Sequence, residues 1–195
     1  MNPVLIPSIT ENVGRTKKYS DLSTKLLENN IVYLGDEIDS DVSSLIVMEL
    51  IWLSTVTEEI DLYINSPGGS VVDGIAIKDV INNLKNKGVL VNTIGLGQCS
   101  SMGAYLLAAG TGKRKLMPNT SVMVHSVQFG VQGSYPDVKV QFKESERVQN
   151  LLAKDLVKFS KGKLNEKSVR ELMDRDTFMD AETAIKYGLA DEIIE

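Results

Sequence analysis

Apolar residues recur along this chain with two periods, and the two periods predict strands that alternate with helices. Residues 31–34 and 89–96 are short, mainly apolar stretches, which predicts two strands. Residues 59–64 alternate apolar and polar side chains, which indicates a further strand. Because a helical pattern follows each of these strands, the sequence predicts an α/β fold built from repeated strand–turn–helix units.

The same pattern predicts the remaining elements. Helices are expected over residues 20–29, 39–56, 70–88, 102–110, 165–173 and 180–187, and short strands over residues 115–117 and 121–125. The helix over residues 39–56 is apolar around most of its circumference, so we expect it to be buried. Residues 1–18 mix polar and apolar side chains, and we expect a flexible N-terminal arm there.

Residues 137–161 contain neither glycine nor proline, which predicts one long helix. At 1.5 Å per residue such a helix is about 36 Å long, which is more than a small domain needs. Its second half has an apolar stripe, whereas its first half is mostly polar or charged, so we expect the first half to project from the body. The preceding residues 128–135 combine glycines with polar residues and predict an irregular or extended stretch.

Length, charge and cysteine content narrow the class of protein. A chain of 195 residues predicts a single domain over residues 1–195. The net charge of −5 argues against a general nucleic-acid surface. One cysteine excludes an internal disulfide and suits a reducing compartment. We expect no signal peptide and no membrane contact, because no apolar run approaches the ~20 residues of a membrane span, and we therefore expect a cytoplasmic protein.

Residues 98–105 join an expected strand to an expected helix and contain three candidate nucleophiles. A hydroxyl or thiol at such a turn lies on the first helical turn, where the helix dipole favours developing negative charge. Ser101 fits best, because Met102 and the small residues after it place Ser101 on that turn. Cys99 is the rival nucleophile, with packing as a small apolar residue as its alternative role. Chemistry alone does not dismiss Ser100.

A nucleophile also needs a base, an orienting acid and donors for an oxyanion. His125 is the only histidine and follows an apolar strand. A lone histidine is more often structural, but a serine on a helix N-terminus makes the role of base the better interpretation. Asp174, Asp176 and Asp180 are candidate acids that the sequence separates only weakly. Consecutive glycines in residues 65–69 let backbone N–H groups converge on an oxyanion, although an ordinary turn is an equal interpretation of that motif alone.

Together these segments resemble the ClpP family, whose members are the proteolytic subunits of ATP-dependent Clp proteases. The resemblance extends from about residue 5 to residue 194, with four motifs in the family order at nearly the family spacings. The motifs are residues 63–70 (YINSPGGS), residues 100–104 (SSMGA) with 106–110 (LLAAG), residues 118–119 (PN) followed by 122–125 (VMVH), and residues 174–176 (DRD) leading to 187–189 (YGL).

The resemblance implies a ClpP/crotonase-like α/β fold and a serine endopeptidase. It implies Ser101 as the nucleophile, His125 as the general base and Asp176 as the third member of the triad. The backbone N–H groups of Gly69 and Met102 would form the oxyanion hole. The implied assembly is a closed barrel of two stacked homo-heptameric rings, a tetradecamer, that hydrolyses unfolded polypeptides.

Further features of the chain match the family. Residues 128–161 match the handle segment and helix that join the two rings, and residues 1–18 match an axial arm. Asp174 and Arg175 match charges at the ring junction. The resemblance implies a partner AAA+ unfoldase of the ClpX, ClpC or ClpA type that uses the ATP, so we expect no cofactor and no metal in this chain.

Two departures from the family pattern lie beside the triad. Ser126 and Val127 follow His125 where the family commonly has Gln-Pro, and Thr177 follows Asp176 where Asn is usual. These changes favour the hypothesis of a divergent paralogue. Such a chain would be a weakly active or structural subunit that works in a mixed barrel with a second ClpP type.

Two other enzyme classes remain as alternatives. A crotonase-like acyl-CoA enzyme shares the architecture, but it normally has a longer chain and no Ser–His–Asp set. A signal-peptide-peptidase-like protease also uses a Ser-Pro-Gly-Gly turn, but its base is a lysine. The nearest lysines after the nucleophile are Lys113 and Lys115, at or beside an expected turn, and His125 fits the role of base better.

Overall fold

The computed structural model describes residues 7–194, in which strands and helices alternate along most of the chain. The elements, in chain order, are β1 (Ser8–Val13), β2 (Thr16–Asp21), α1 (Leu22–Glu28), β3 (Ile31–Leu34), α2 (Ser40–Leu53), β4 (Glu59–Ser66), α3 (Val71–Asn86), β5 (Leu90–Ser100), α4 (Met102–Ala108), β6 (Arg114–Leu116), β7 (Ser121–Val124), α5 (Tyr135–Phe159), α6 (Glu166–Met173), β8 (Thr177–Met179), α7 (Ala181–Tyr187) and β9 (Glu192–Ile193). The strands and helices expected from the apolar pattern are confirmed in type and order.

The strand β5 lies at the centre of the main sheet. Parallel neighbours follow in the order β3-β4-β5-β6-β9. β5 is long enough to pair first with β6, through residues 93–95, and then with β7, through residues 98–100. β8 pairs with β7 in the antiparallel direction. The C-terminal ends of β5 and β7 therefore lie side by side, at the kind of sheet edge where open α/β folds bind their ligands.

The core lies on both faces of this sheet and encloses the helix that follows β5. Ile60, Leu62 and Ile64 of β4 are completely buried, as their alternation with polar residues predicts. Every residue of α4 is buried as well. Apolar burial stabilises by about 25 cal/mol per Å², so the start of α4 is among the most strongly anchored parts of the chain.

Helix α2 is buried only in part, so the prediction of a buried helix is wrong for its outer face. Its buried residues lie on one face only. Leu45, Met48, Ile51 and Trp52 on the other face are about half exposed or more. The sequence shows that these positions of α2 are apolar, but it does not show whether another part of the same chain packs against them.

The predicted flexible arm over residues 1–18 is, in its described part, a β-hairpin. Strands β1 and β2 pair antiparallel around a turn at Gly14, whose φ is +61°. Lys25 of α1 anchors the hairpin through an ion pair with Glu11, with 2.5 Å between Nζ and Oε2. Helix α1 begins at Leu22, two residues later than expected. Residues 1–6 of the predicted arm lie outside the described residues.

The long helix forms much as expected. α5 extends over Tyr135–Phe159, and its buried residues all lie in the second half. The preceding stretch, residues 125–134, contains no helix or strand. None of the helices within residues 7–194 combines the length and the apolarity that crossing a membrane requires.

A buried ion pair ties the C-terminal segment to the sheet. The guanidinium of Arg114 on β6 is almost fully buried and donates to both carboxylate oxygens of Asp191, at 2.9 and 2.5 Å. The same guanidinium donates to three backbone carbonyls, of Ala108, Phe159 and Gly188. Arg114 thus connects the ends of α4, α5 and α7. Its hydrogen bonds hold the pKa of the Asp191 carboxyl well below its ordinary value.

We expect Asp191→Asn to lower the free energy of unfolding by about 3 kcal/mol, because it leaves the buried guanidinium without its counter-charge. A folded-state pKa below the unfolded value means that the stabilisation is present at neutral pH. It is lost as the pH falls through the ordinary carboxyl pKa of about 3.9 towards the lower folded value. Urea unfolding from pH 7 to pH 3 should therefore show the gap between wild type and variant narrowing.

The control for this experiment is Glu192→Gln, one residue further along the chain. Glu192 makes only an exposed ion pair with Lys115, whose closest nitrogen–oxygen distance is 3.9 Å. Its loss should cost less than about 1 kcal/mol. Equal destabilisation by the two variants would contradict the role given to the Arg114–Asp191 pair.

Candidate active site

Ser101 occupies a single-residue turn between β5 and α4. Its backbone has φ +53° and ψ −121°, a conformation that non-glycine residues rarely adopt and that costs on the order of 1–3 kcal/mol. Two hydrogen bonds stabilise the turn. The Ser101 N–H donates to the carbonyl of Met123 at 2.8 Å, and the Tyr105 N–H donates to the Ser101 carbonyl at 3.1 Å. The hydroxyl therefore stands at the end of the sheet, beside strand β7.

The sheet register brings His125 to this hydroxyl. Ser100 pairs with Met123 in the parallel ladder between β5 and β7, and His125 directly follows β7. The Ser101 Oγ and the His125 Nε2 lie 2.8 Å apart. A serine and an imidazole at this distance can exchange a proton, which is the geometry of an activated nucleophile.

Strand β8 brings Asp176 to the other side of the imidazole. Val124 pairs with Thr177 in the antiparallel ladder of β7 and β8, so His125 and Asp176 face each other one step beyond that pair. The His125 Nδ1 and the Asp176 Oδ1 are 3.4 Å apart, and the Asp176 side chain is 58% exposed. This distance exceeds the ~2.7–2.9 Å of a charge-assisted hydrogen bond. β8 was missed in the sequence because three residues show no period.

The glycine-rich turn of residues 65–69 packs directly against the serine turn. A Cβ on Gly68 would lie 2.6 Å from the Ser101 Cβ and 3.0 Å from the Met102 nitrogen. A Cβ on Gly103 would lie 2.9 Å from the Ser66 carbonyl oxygen. The structure thus places the two strand-to-helix turns side by side.

Backbone N–H groups of both turns are available beside the serine. Ile38 forms a parallel bridge with Gly69 by donating to the Gly68 carbonyl at 2.8 Å and accepting from the Ser70 N–H at 2.7 Å. In such a bridge the N–H of Gly69 points away from Ile38. Met102 is the first residue of α4, so its N–H has no carbonyl partner within the helix.

The rival nucleophiles lie in less suitable places. Cys99 is completely buried, its Sγ donates to the Ile64 carbonyl at 3.4 Å, and burial raises the pKa of the thiol to about 12. Ser100 is also buried, within strand β5. A thiol with so high a pKa is almost never ionised near neutral pH. Of the three candidates, only Ser101 contacts the histidine.

The other candidate acids do not reach the imidazole. Asp180 caps helix α7 by accepting from the Thr183 N–H at 2.8 Å, and its hydrogen bonds with Thr183 lower its pKa. Asp174 and Arg175 are exposed at the end of α6. Neither the Asp174 nor the Arg175 side chain contacts Ser101, His125 or Asp176. Among residues 7–194, the side chains form no cluster of three or more groups that could hold a metal ion.

Three polar residues near the site gave no signal in the sequence. The Gln128 Nε2 lies 3.3 Å from the His125 Nδ1. The Gln149 Oε1 accepts from the Val127 N–H at 2.7 Å and so attaches the stretch after His125 to helix α5. Asp155 accepts from the Tyr105 hydroxyl at 2.5 Å. Glutamine in an irregular segment or on a helix has no distinctive spacing, so only the folded chain reveals these contacts.

One cavity adjoins the serine and the histidine, and a larger groove begins at the residues that follow the histidine. The small apolar cavity, of about 30 Å³, lies against Ser101 and His125 and is otherwise bounded by Val124 of β7 and by residues of α4, α5 and α6. A larger groove of about 530 Å³ lies between the start of α3, Val127 and Gln128, and the middle of α5. The groove is lined mostly by apolar side chains, and Glu144 and Arg147 also line it. This lining suits a ligand with apolar groups.

Comparison with known protein families gives one match. A family model described as Clp protease matches residues 14–195, which is almost the whole chain. The matched part includes both turns, His125 and Asp176. Together with the parallel sheet and its surrounding helices, the match confirms the fold class that the resemblance implied.

We expect Cys99 to be unreactive in the folded protein. With a thiol pKa of about 12, the thiolate fraction at pH 8 is about 10⁻⁴, and the side chain is not accessible. Iodoacetamide should therefore leave the native chain unmodified and add one label after unfolding in urea, as measured by mass. Rapid labelling of the native protein would contradict the buried position of the thiol.

Gly68 and Gly88 allow the contact between the two turns to be tested. Both have a left-handed backbone, with φ of +96° and +87°, but a Cβ on Gly88 would meet nothing within 4 Å. Gly88→Ala should cost about 1–2 kcal/mol of stability and leave Ser101 unaffected. Gly68→Ala should in addition displace Ser101 and slow its reaction with a fluorophosphonate by about 10²-fold. Equal reaction rates in the two folded variants would show that the contact does not position Ser101.

Proposed function

Because the chain belongs to the Clp protease family, we propose that it is a serine endopeptidase subunit that hydrolyses peptide bonds of unfolded polypeptides. The observation that carries the proposal is the 2.8 Å contact between the Ser101 Oγ and the His125 Nε2, on an imidazole whose other nitrogen faces Asp176. Three side chains from the ends of three separate strands lie next to one another as Ser, His and Asp, which is the arrangement that acyl transfer by a triad uses.

The proposed mechanism follows from this geometry. His125 accepts the hydroxyl proton as the Ser101 Oγ attacks the peptide carbonyl carbon, and the Asp176 carboxylate stabilises the imidazolium that forms. The N–H groups of Gly69 and Met102 donate to the tetrahedral oxyanion, and the N-terminus of α4 adds its dipole. His125 then gives the proton to the leaving amine, the C–N bond breaks, and water hydrolyses the acyl-enzyme by the same route.

We also propose that the chain works inside a barrel of stacked heptameric rings, fed by an AAA+ unfoldase of the ClpX, ClpC or ClpA type. Two surfaces support assembly. The apolar face of α2 is uncovered in the single chain, with Met48 60% exposed. The first half of α5, together with Asp174 and Arg175 at the end of α6, is exposed as well. Assembly would cover such surfaces.

A second candidate is a weakly active subunit of a mixed barrel. The 3.4 Å between the His125 Nδ1 and the Asp176 Oδ1 and the exposure of Asp176 favour it, because a triad needs this hydrogen bond to orient the imidazole. Thr177 and the Ser126-Val127 pair stand beside these side chains. The acyl-CoA alternative gains nothing from the family match or from the Ser–His–Asp arrangement.

Cleavage of small fluorogenic peptides by the full-length chain tests the proposal. Ser101→Ala should lower turnover by at least about 10³-fold, because the attacking hydroxyl is lost. The matched control is Ser100→Ala, which removes a hydroxyl one residue away and should keep most of the activity. Cleavage that survives Ser101→Ala would overturn the mechanism.

The mass of the particle, measured in the same samples, separates the two candidates. A stable tetradecamer with normal peptidase activity from the pure chain would exclude the mixed-barrel candidate. Low activity that rises when a second ClpP-type subunit is added would favour that candidate over a self-sufficient enzyme.

A further inference from the structure

Gln128 competes with Asp176 for one nitrogen of the imidazole. The His125 Nδ1 lies 3.3 Å from the Gln128 Nε2 and 3.4 Å from the Asp176 Oδ1. The carboxylate can only accept a hydrogen bond, so it requires a proton on Nδ1. The amide nitrogen of Gln128 can only donate, so it requires a lone pair there. A neutral imidazole satisfies one of these neighbours at a time.

The choice between the two neighbours decides whether His125 can act as a base. When Nδ1 accepts from the amide, the single proton of the neutral ring lies on Nε2. The Nε2–H then donates to the Ser101 Oγ, 2.8 Å away, and has no lone pair to take the hydroxyl proton. When Nδ1–H donates to Asp176, Nε2 accepts from the hydroxyl. The two arrangements differ in which ring nitrogen of His125 carries the proton and in whether the Gln128 amide donates to Nδ1.

The position of Gln128 connects the choice of tautomer to the larger groove. Its side chain is exposed and lines the groove of about 530 Å³ together with Val127 and residues of α3 and α5. Its backbone follows Val127, whose N–H is attached to Gln149 of α5. The anchored backbone keeps the amide at the site, whereas residues 125–134 belong to no helix or strand that would prevent the side chain from turning. The charged side chains of the groove, Glu144 and Arg147, are paired with each other.

We propose that Gln128 is a positioning residue that keeps His125 in its non-productive tautomer while the groove is empty. A peptide backbone in the groove offers carbonyl oxygens that accept from the amide, and this frees Nδ1 to donate to the Asp176 carboxylate, a charge-assisted hydrogen bond that the other arrangement lacks. Once the amide turns to the peptide, the ring proton moves from Nε2 to Nδ1, and Asp176 accepts its hydrogen bond. The inference rests on the proposed function, since it assigns a control to the same Ser–His–Asp site.

The single histidine makes the tautomer directly measurable. The full-length protein, labelled with ¹⁵N-histidine and sedimented at pH 8 where a free imidazole is neutral, gives one pair of ring nitrogens by NMR. We expect the proton on Nε2 in the wild type. In Gln128→Leu it should lie on Nδ1, because the competing donor is gone. Gln128→Glu, whose carboxylate accepts, should also place it on Nδ1.

Gln98→Leu is the matched control, since Gln98 is an exposed glutamine on β5 whose side chain makes no hydrogen bond with any of residues 7–194. It should leave the proton on Nε2. A wild-type proton already on Nδ1, or an unchanged proton position in Gln128→Leu, would overturn the inference. A merely structural role of Gln128 would change stability without moving the proton.

Reactivity provides a second readout. A small fluorophosphonate does not fill the groove, so it reports the resting tautomer. It should label Ser101 about fivefold faster in Gln128→Leu than in the wild type, the factor that corresponds to one neutral hydrogen bond of ~1 kcal/mol. An equal or slower rate would count against the inference. Cleavage that persists in Ser101→Ala would instead refute the proposed function, and the NMR result would still decide the role of Gln128.

Discussion

The parallel register between β5 and β7 is the constraint on which the rest of the site depends. It pairs Ser100 with Met123 and so brings the residues that follow each strand within reach of each other. The backbone of Ser101 is strained, and the hydrogen bond from its N–H to the Met123 carbonyl holds it in that conformation. A one-residue slip of β7 would turn every side chain of that strand to the opposite face and remove the histidine from the serine.

Ser101, the proposed nucleophile, stands at the start of a helix that is buried throughout. Helix α4 is buried along its whole length, and the Tyr105 hydroxyl on it donates to Asp155 of α5. Lys78 forms an ion pair with the same carboxylate at 3.1 Å. At the other end of α4, Arg114 connects the helix to the C-terminal segment. Ser101 therefore has a fixed position, as a group that must attack along one direction requires.

The two side chains beside the Nδ1 of His125, Asp176 and Gln128, do not lie on a buried helix as Ser101 does. Asp176 lies on a short connection before a three-residue strand, and Gln128 lies in a stretch without regular structure. Both side chains are exposed, and both face the same ring nitrogen. The site thus combines Ser101, the proposed nucleophile, on a buried helix with His125, the proposed base, whose two neighbours at Nδ1 lie on exposed segments.

Much of the fold could be predicted because burial on a sheet imposes a period on the sequence. Ile60, Leu62 and Ile64 alternate because one side of β4 faces the core, and Asn165 starts a helix because its side chain accepts from the third N–H after it. The prediction failed for the outer face of α2, whose apolar residues stay exposed among residues 7–194. The strands within residues 8–21 were not predicted, because they are mostly polar, pair with each other and show no apolar alternation.

The sequence by itself determined the α/β class, the two strand-to-helix turns and the candidates Ser101 and His125, because each depends on local pattern, residue chemistry or a motif. Only the tertiary structure decided which groups meet. In the folded chain Cys99 is buried, Asp180 caps helix α7, and the pairing of β7 with β8 places Asp176 beside the imidazole. The tertiary structure also placed Gln128 against the same nitrogen. The contacts of His125 with Ser101 and Asp176 join residues far apart in the chain, and their distances depend on strand register and packing, which leave no period in the sequence.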